Sequence, residues 1–363
     1  MVFLLPTQLA LHFWPRFAYV YGLRVDYLAP AIYLTDILLL FLIPFIRLWP
    51  KKPLVLVGLF AVLNIALAYN PAVAFFKWLA VMKLILVGLY FFGCPYRRLI
   101  RSALAASIIL FACLGLVQFG LQRTVGGIFY WLGERSFSAL TPGIALVKIT
   151  GVNFLRAYSS FSHPNSLAGF LVVTGILVLA LGHRPAWFWP GLWGLGLILT
   201  FSLGAIAGLV LALVFLKLKT RLRPHLIAAL IILSFGLVFI PASWFSSNES
   251  IGTRLSLATA AIKLFSFSPL VGVGLNNAVL FFKNLQPVHN LFLLTAAETG
   301  ITGLILLFGL SAVLAVRIKN KFYWLALVFV LLTGFVDHYW FTLQQNQLLL
   351  SLLVGVSLNE KLS

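Results

Sequence analysis

Residues 250–303 read SIGTRLSLATAAIKLFSFSPLVGVGLNNAVLFFKNLQPVHNLFLLTAAETGITG, a concentration of polar and basic groups in a chain that is otherwise strongly apolar. Arg254 opens the stretch and His289-Asn290 closes it. Over 252–267, Ser256, Thr259, Lys263 and Ser266 fall on one helical stripe and Leu255, Ala258, Ile262 and Phe265 on another. That spacing predicts an amphipathic helix lying flat at a membrane surface. Pro269 with Gly272 and Gly274 then ends the helix and demands a turn or a close backbone approach. From Leu291 onward the run is apolar enough to re-enter a bilayer. His289 is therefore expected where the chain dives back into lipid, open both to water and to a membrane-embedded substrate.

Working outward, the whole chain of 363 residues is 62% hydrophobic and 9% charged. No soluble fold hides that much apolar surface, so the expected class is an all-α, polytopic integral membrane protein forming a single transmembrane domain over 1–363. Runs of about 20 apolar residues, fewer where spans are short or paired, place about twelve spans. They fall near 3–20, 28–47, 53–70, 72–93, 99–120, 164–182, 186–201, 204–217, 224–241, 290–316, 321–338 and 343–359. Between 186 and 217 two short helices are expected, with a tight outer turn at Ser202-Leu203-Gly204.

The net charge of +19 would suggest nucleic acid in a soluble protein. Here topology explains it, and no nucleic-acid partner is expected. The cations cluster at Arg47/Lys51/Lys52, Arg97/Arg98/Arg101, Arg184, Lys217/Lys219/Arg221/Arg223, Arg317/Lys319/Lys321 and Lys361, all assignable to one face. The positive-inside rule makes that face cytoplasmic, together with both termini. Two long loops, about 121–163 and 242–289, then face outward, and loops of such length that are not linkers are usually functional. The first apolar stretch lacks a basic leader and a small-residue cleavage site, so it is expected to stay as an anchor. Cys94 and Cys113 are expected reduced and structural.

The first outer loop ends in Arg156, Tyr158, His163 and Asn165, which should gather at the same interface as Arg254 and His289. Two guanidinium forks there suit a diphosphate whose lipid tail stays in the bilayer, although the same position also suits plain lipid anchors. An imidazole of ordinary pKa can take a proton from a sugar hydroxyl, but a lone interfacial His also serves as a mere hydrogen-bonding group. His163 is expected to be structural, with Asn165 capping the next helix. Only seven acids are present, with no Asp-x-Asp pair and no His/Cys cluster at ligand spacing, which argues against a metal site and a paired-carboxylate glycosidase. No cofactor is expected. Asp36 is expected to pair with Arg16, Glu298 to pack with Lys77 or Lys83, and Asp337-His338 to be a solvated helix end.

The string His289-Asn290, nine residues, Gly300-Ile-Thr-Gly303 resembles the H-N-x9-G-x-x-G signature of the O-antigen ligase and polymerase family. Arg254 followed by Pro269-Leu-Val-Gly-Val-Gly-Leu-Asn-Asn277 resembles its outer-loop Arg and P-L-x-G-x-G-x-x-N turn, and Arg156 with Ser160-Phe-Ser-His-Pro-Asn165 resembles an earlier element. The likeness covers about residues 150 to 345. It implies an inverting, metal-independent membrane glycosyltransferase at the outer face of the bacterial inner membrane. Such an enzyme takes a glycan from an undecaprenyl diphosphate carrier and gives it to a lipid or glycan acceptor. By resemblance His289 is the general base and Arg254 grips the donor diphosphate, with Arg156, Tyr158, Asn165 and Asn290 as further substrate contacts. One departure stands out: where the family carries a Ser-Arg-Gly-like turn with a second diphosphate-binding Arg, this chain has Ser202-Leu203-Gly204. A lipid-linked oligosaccharide flippase and a non-catalytic envelope-assembly protein are the competing readings.

Overall fold

An apolar chain that must satisfy every backbone N–H and C=O without water has few options besides helix. The computed structural model, which describes residues 1–46, 51–182, 188–240 and 249–359, is accordingly mostly helical. The helices are α1 (Leu34–Leu40), α2 (Lys51–Ala66), α3 (Pro71–Gly93), α4 (Arg97–Leu121), α5 (Pro164–Ala180), α6 (Phe188–Ile198), α7 (Leu203–Phe215), α8 (Arg223–Gly236), α9 (Glu249–Phe267), α10 (Leu291–Arg317), α11 (Lys321–Gly334), α12 (Tyr339–Thr342) and α13 (Gln344–Leu358). Among the described residues, four helical stretches are long and apolar enough to cross a membrane: Pro71–Gly93, Arg97–Leu121, Thr220–Phe239 and Leu291–Arg317. This is a membrane protein. The split expected between 186 and 217 is present, with the Ser202 hydroxyl accepting from the Ala205 N–H to cap α7.

The first two expected spans, 3–20 and 28–47, do not form. Residues 10–33 instead fold as two nested antiparallel ribbons, β1 (Ala10–His12) with β4 (Ala31–Tyr33) and, between them, β2 (Tyr19–Val20) with β3 (Leu23–Arg24). Pro6, Pro15 and Pro30 interrupt any long helix here. Tyr21 and Gly22, both at positive φ (52° and 78°), make the two-residue turn that suits a twisted hairpin. Asp36 consequently does not meet Arg16, which lies in the turn before β2. Asp36 accepts from the Tyr33 N–H at the start of α1 and pairs with Lys83 of α3 at 2.8 Å.

The bundle has two chemically distinct ends. At one, Arg97 at the start of α4 donates to the Ala180 and Leu181 carbonyls at the end of α5, and Arg101 donates to Gly182. Arg223 at the start of α8 donates to Ala315 and Ile318 at the end of α10. Cations there cap helix C-termini, where the macrodipole favours them. Arg47, Arg184 and Lys361 lie outside the described residues. The other end holds the start of α5, α7 and α10 and the end of α11, and the candidate functional residues with them. Among them is a third ribbon, β5 (Leu146–Ile149) with β6 (Val152–Leu155).

The first part of the quoted stretch is helical, with one face buried. In α9 Leu255 and Ala258 are buried while Ser256, Lys263 and Ser266 are exposed. The apolar stripe meets protein, however: Leu257, Ala258 and Ala261 pack with Val288, Leu293 and Ala297. The Pro269–Asn277 turn then docks on a break in α10. Gly300 (φ 64°, ψ −163°) interrupts the helix, and the orphaned groups are met by the turn. Val273 and Gly274 donate to Ala297 and Glu298, and Ile301 and Thr302 donate to Pro269 and Leu270. A Cβ at Gly272 would lie 2.3 Å from Glu298 backbone, and one at Gly300 would lie 2.4 Å from Leu270. Both residues also hold a positive φ, so only glycine fits at this backbone-on-backbone contact. The two glycine motifs are thus halves of one joint. Asn64 of α2 locks it, donating to Val271 and Glu298 and accepting from Leu275 and from Trp78.

Candidate active site

Arg156 follows β6 and reaches back over the turn between α6 and α7. Its Nε donates to the Thr200 carbonyl at 2.6 Å, and Nη2 donates to Asn165 Oδ1 at 2.8 Å. Asn165 Nδ2 in turn donates to Asp337 Oδ2 at 3.1 Å. Arg254 arrives from α9 and donates to the Val336 carbonyl at 3.3 Å, one residue before that carboxylate. Arg156, Asn165, Arg254 and Asp337 line one cavity of about 250 Å3, together with Ser202, Leu203 and Gly204. Leu203 is 80% exposed at its mouth. The remaining N–H groups of both guanidiniums have no protein partner among the described residues.

His289 precedes α10 and lies on the far side of Asp337, with Nδ1 3.5 Å from Oδ1 and its side chain 22% exposed. That separation is an ion-pair contact slightly longer than an ordinary hydrogen bond. The same Oδ1 accepts from the His338 N–H at 2.8 Å. The two rings sit 4.8 Å apart, and His338 Nδ1 is 2.7 Å from Thr342 Oγ1. Asp337 and His338 are therefore buried centre-pieces, 8% and 6% exposed, and not the solvated helix end expected from the sequence. The chain folds back after α11 before entering α12, which turns both residues inward.

Burial tends to raise the Asp337 pKa, but the contact with His289 and the neighbouring imidazoles outweigh it and hold the carboxyl well below its usual range. Burial pushes His338 down to about 3, so its ring is neutral at working pH. Its folded pKa lies below the unfolded value, so the stability tied to it is full above about pH 6.5 and is lost as pH falls. Acidification from pH 7 to 4 is expected to lower the melting temperature of the purified protein, and His338→Gln should blunt that loss.

The other expected site residues take different roles. Asn290 is buried and caps α10: Oδ1 accepts from Leu293, and Nδ2 donates to Ser234 Oγ and the Phe335 carbonyl, each at 2.9 Å. With every polar atom engaged it positions His289 and offers nothing to a substrate. Asn290→Ala should lower stability by about 1–3 kcal/mol, measurable as a fall in melting temperature. Tyr158 is 1% exposed, and its hydroxyl accepts from the Ala145 N–H at 2.6 Å, so it fastens the outer loop and stays off the cavity. The cap of α5 is His163, whose Nδ1 accepts from the Asn165 N–H at 3.1 Å, and not Asn165 as expected. A neutral His163 can accept there, and this leaves the Asn165 side chain free to bridge Arg156 and Asp337. Glu298 lies away from His289; its carboxylate is held by the N–H groups of Asn276 and Ala278 beside Lys77.

His289, Asp337 and His338 offer ligand atoms within 4.8 Å of one another, a grouping that spacing along the sequence cannot reveal. Both carboxylate oxygens already accept hydrogen bonds and His338 Nδ1 is engaged by Thr342, while the buried His289 Nδ1 has no hydrogen-bond partner among the described residues.

No curated protein matches this chain. Residues 164–308 match the family model described as O-antigen ligase, a span that begins at the first turn of α5 and includes Arg254, the Pro269–Asn277 turn, His289 and both glycines of the α10 break. Over those residues, which build most of this site, the chain is similar to the O-antigen ligase family.

Proposed function

We propose that this protein transfers a glycan from an undecaprenyl diphosphate carrier to an acceptor hydroxyl, with inversion and without a metal, at the outer face of the bacterial inner membrane. The family supports ligase- or polymerase-type glycan transfer. The observation that carries the finer reading is one cavity, at the end of the bundle opposite the cationic caps, lined by two open guanidinium groups and by Asp337, whose other oxygen lies 3.5 Å from the His289 imidazole behind it. In this scheme the capped end is cytoplasmic with both termini, and the loops 121–163 and 242–289 face outward.

Arg156 and Arg254 take the donor diphosphate, whose developing charge in the transition state is what a preorganised cationic site stabilises. Asp337 orients Nδ1–H of His289, which leaves Nε2 to remove the acceptor proton as the sugar oxygen attacks the anomeric carbon. The anomeric C–O bond breaks on the opposite face and the carrier diphosphate leaves into the arginine forks. A flippase would need a polar path through the membrane. Here the interior charges pair locally, Lys83 with Asp36 and Lys77 beside Glu298.

Purified protein supplied with an undecaprenyl diphosphate glycan should release the carrier only when acceptor is present. Movement of intact lipid, or no turnover at all, would overturn the proposal. EDTA should leave the release rate within about twofold of the untreated enzyme; loss of activity restored by a divalent ion would assign the His289–Asp337–His338 cluster to metal.

A further inference from the structure

The end of the bundle remote from the cavity holds a second assembly. The connection between α7 and α8 carries Lys217, Lys219 and Arg221, and the connection between α10 and α11 carries Arg317, Lys319 and Lys321, with no acid in either. Arg223, 8% exposed, staples the two together. Its Nη1 donates to the Ala315 and Ile318 carbonyls at 3.0 and 2.9 Å, and its guanidinium lies 4.4 Å over the Trp324 ring. Trp324 Nε1 donates in turn to the Phe215 carbonyl at 3.2 Å, at the end of α7. The turn Thr220–Leu222 packs on α10 as well.

The last carbonyls of a helix attract the cations nearest to them, and for α10 Arg223 takes that role. Arg317, Lys319 and Lys321 are left exposed, as are Lys217, Lys219 and Arg221, and none of them is in an ion pair among the described residues. The positive-inside rule asks for cations in these loops but not for two loops of them clamped side by side, where like charges repel. A surface of opposite charge offsets that repulsion. Beside the cations α10 presents an apolar face: Val313 and Val316 are 47% and 54% exposed. With Ala312 and Arg317 they line a groove of about 310 Å3, so apolar surface and positive charge meet at Arg317.

We infer that the two stapled loops and the Val313–Val316 face of α10 bind an anionic phospholipid of the adjoining leaflet. Its phosphate lies among the cations through charge-assisted hydrogen bonds, and an acyl chain follows the groove. A zwitterionic head group brings a cation of its own and fits worse. The site stands whether or not the protein transfers glycan.

The purified full chain, mixed in detergent with equal amounts of dioleoylphosphatidylglycerol and dioleoylphosphatidylcholine, should retain the anionic lipid at least about tenfold more often, read by native mass spectrometry. Arg221→Gln/Lys319→Gln should lower that ratio at least about fivefold. Both side chains are exposed and unpaired, so the fold does not depend on them. Arg135→Gln/Lys283→Gln, in the loops 121–163 and 242–289, should leave the ratio unchanged. Val316→Trp keeps every cation and fills the groove, so it should lower occupancy by the lipid severalfold. An excess of glycerol phosphate should not displace the lipid. Equal retention of the two lipids overturns the site, as does a ratio that survives Arg221→Gln/Lys319→Gln or falls as far with Arg135→Gln/Lys283→Gln. Displacement by glycerol phosphate would assign the cations to a soluble phosphate and overturn it equally, as would full occupancy in Val316→Trp.

Discussion

His289→Ala is expected to reduce acceptor-dependent release of the diphosphate carrier by about 10²–10⁴-fold, the range lost when a positioned general base is removed. Asp337→Asn should cost nearly as much, although Asn has the same shape and can still meet His289. The amide carries no charge to stabilise the imidazolium that forms when the acceptor proton arrives, and it can present an N–H where Nδ1–H needs an acceptor. The two losses should not multiply: His289→Ala/Asp337→Asn is expected to be about as slow as His289→Ala alone, because both act through one ring. Both single variants should still bind the carrier-linked glycan, since neither removes an arginine. A double variant much slower than either single one would mean that Asp337 acts independently of His289. Full activity in His289→Ala would remove the mechanism.

The helices and the polar stretch were legible because burial in lipid imposes long apolar runs and leaves polar groups only where they are needed. Among the described residues, ten of the twelve expected spans are helices. The two that failed share a cause: the stretch is apolar, but Pro6, Pro15, Pro30 and the Tyr21-Gly22 turn break the backbone into short ribbons. The site was legible where residues are joined by motif, as with His289, Arg254 and Arg156. It was hidden where the partner arrives from a distant helix. Asp337 lies 48 positions after His289 in the sequence, and only the fold-back after α11 turns it inward. Asn290 and Tyr158 looked like substrate contacts because polar groups near the candidate site are few. Their atoms are spent on Ser234, Phe335 and Ala145, and no spacing argument foretells that.

Arg156→Ala is expected to lower turnover by about 10²–10³-fold, and Leu203→Arg is expected to restore part of it. Arg156 is held from one side only, by Thr200 and Asn165, so its other edge is available to a diphosphate oxygen pair. Leu203 stands at the mouth of the same cavity, where the family resemblance places a second cation. A leucine there supplies no charge, so in the proposed scheme the diphosphate depends on Arg156 and Arg254 alone. Introducing Arg at 203 costs little in folding, since the side chain is exposed at the first position of α7, capped independently by Ser202. In the wild-type background Leu203→Arg should therefore tighten the carrier-linked donor, lowering its KM with little change in acceptor KM. The measurement is a pair of saturation curves in reconstituted membranes, one for each substrate. Unchanged donor KM in Leu203→Arg, together with no rescue of Arg156→Ala, would place the diphosphate elsewhere and leave Arg156 as a strut for Asn165 and Asp337. In that case Arg156→Lys, which keeps the charge but cannot span Thr200 and Asn165 as a planar fork does, should be as inactive as Arg156→Ala.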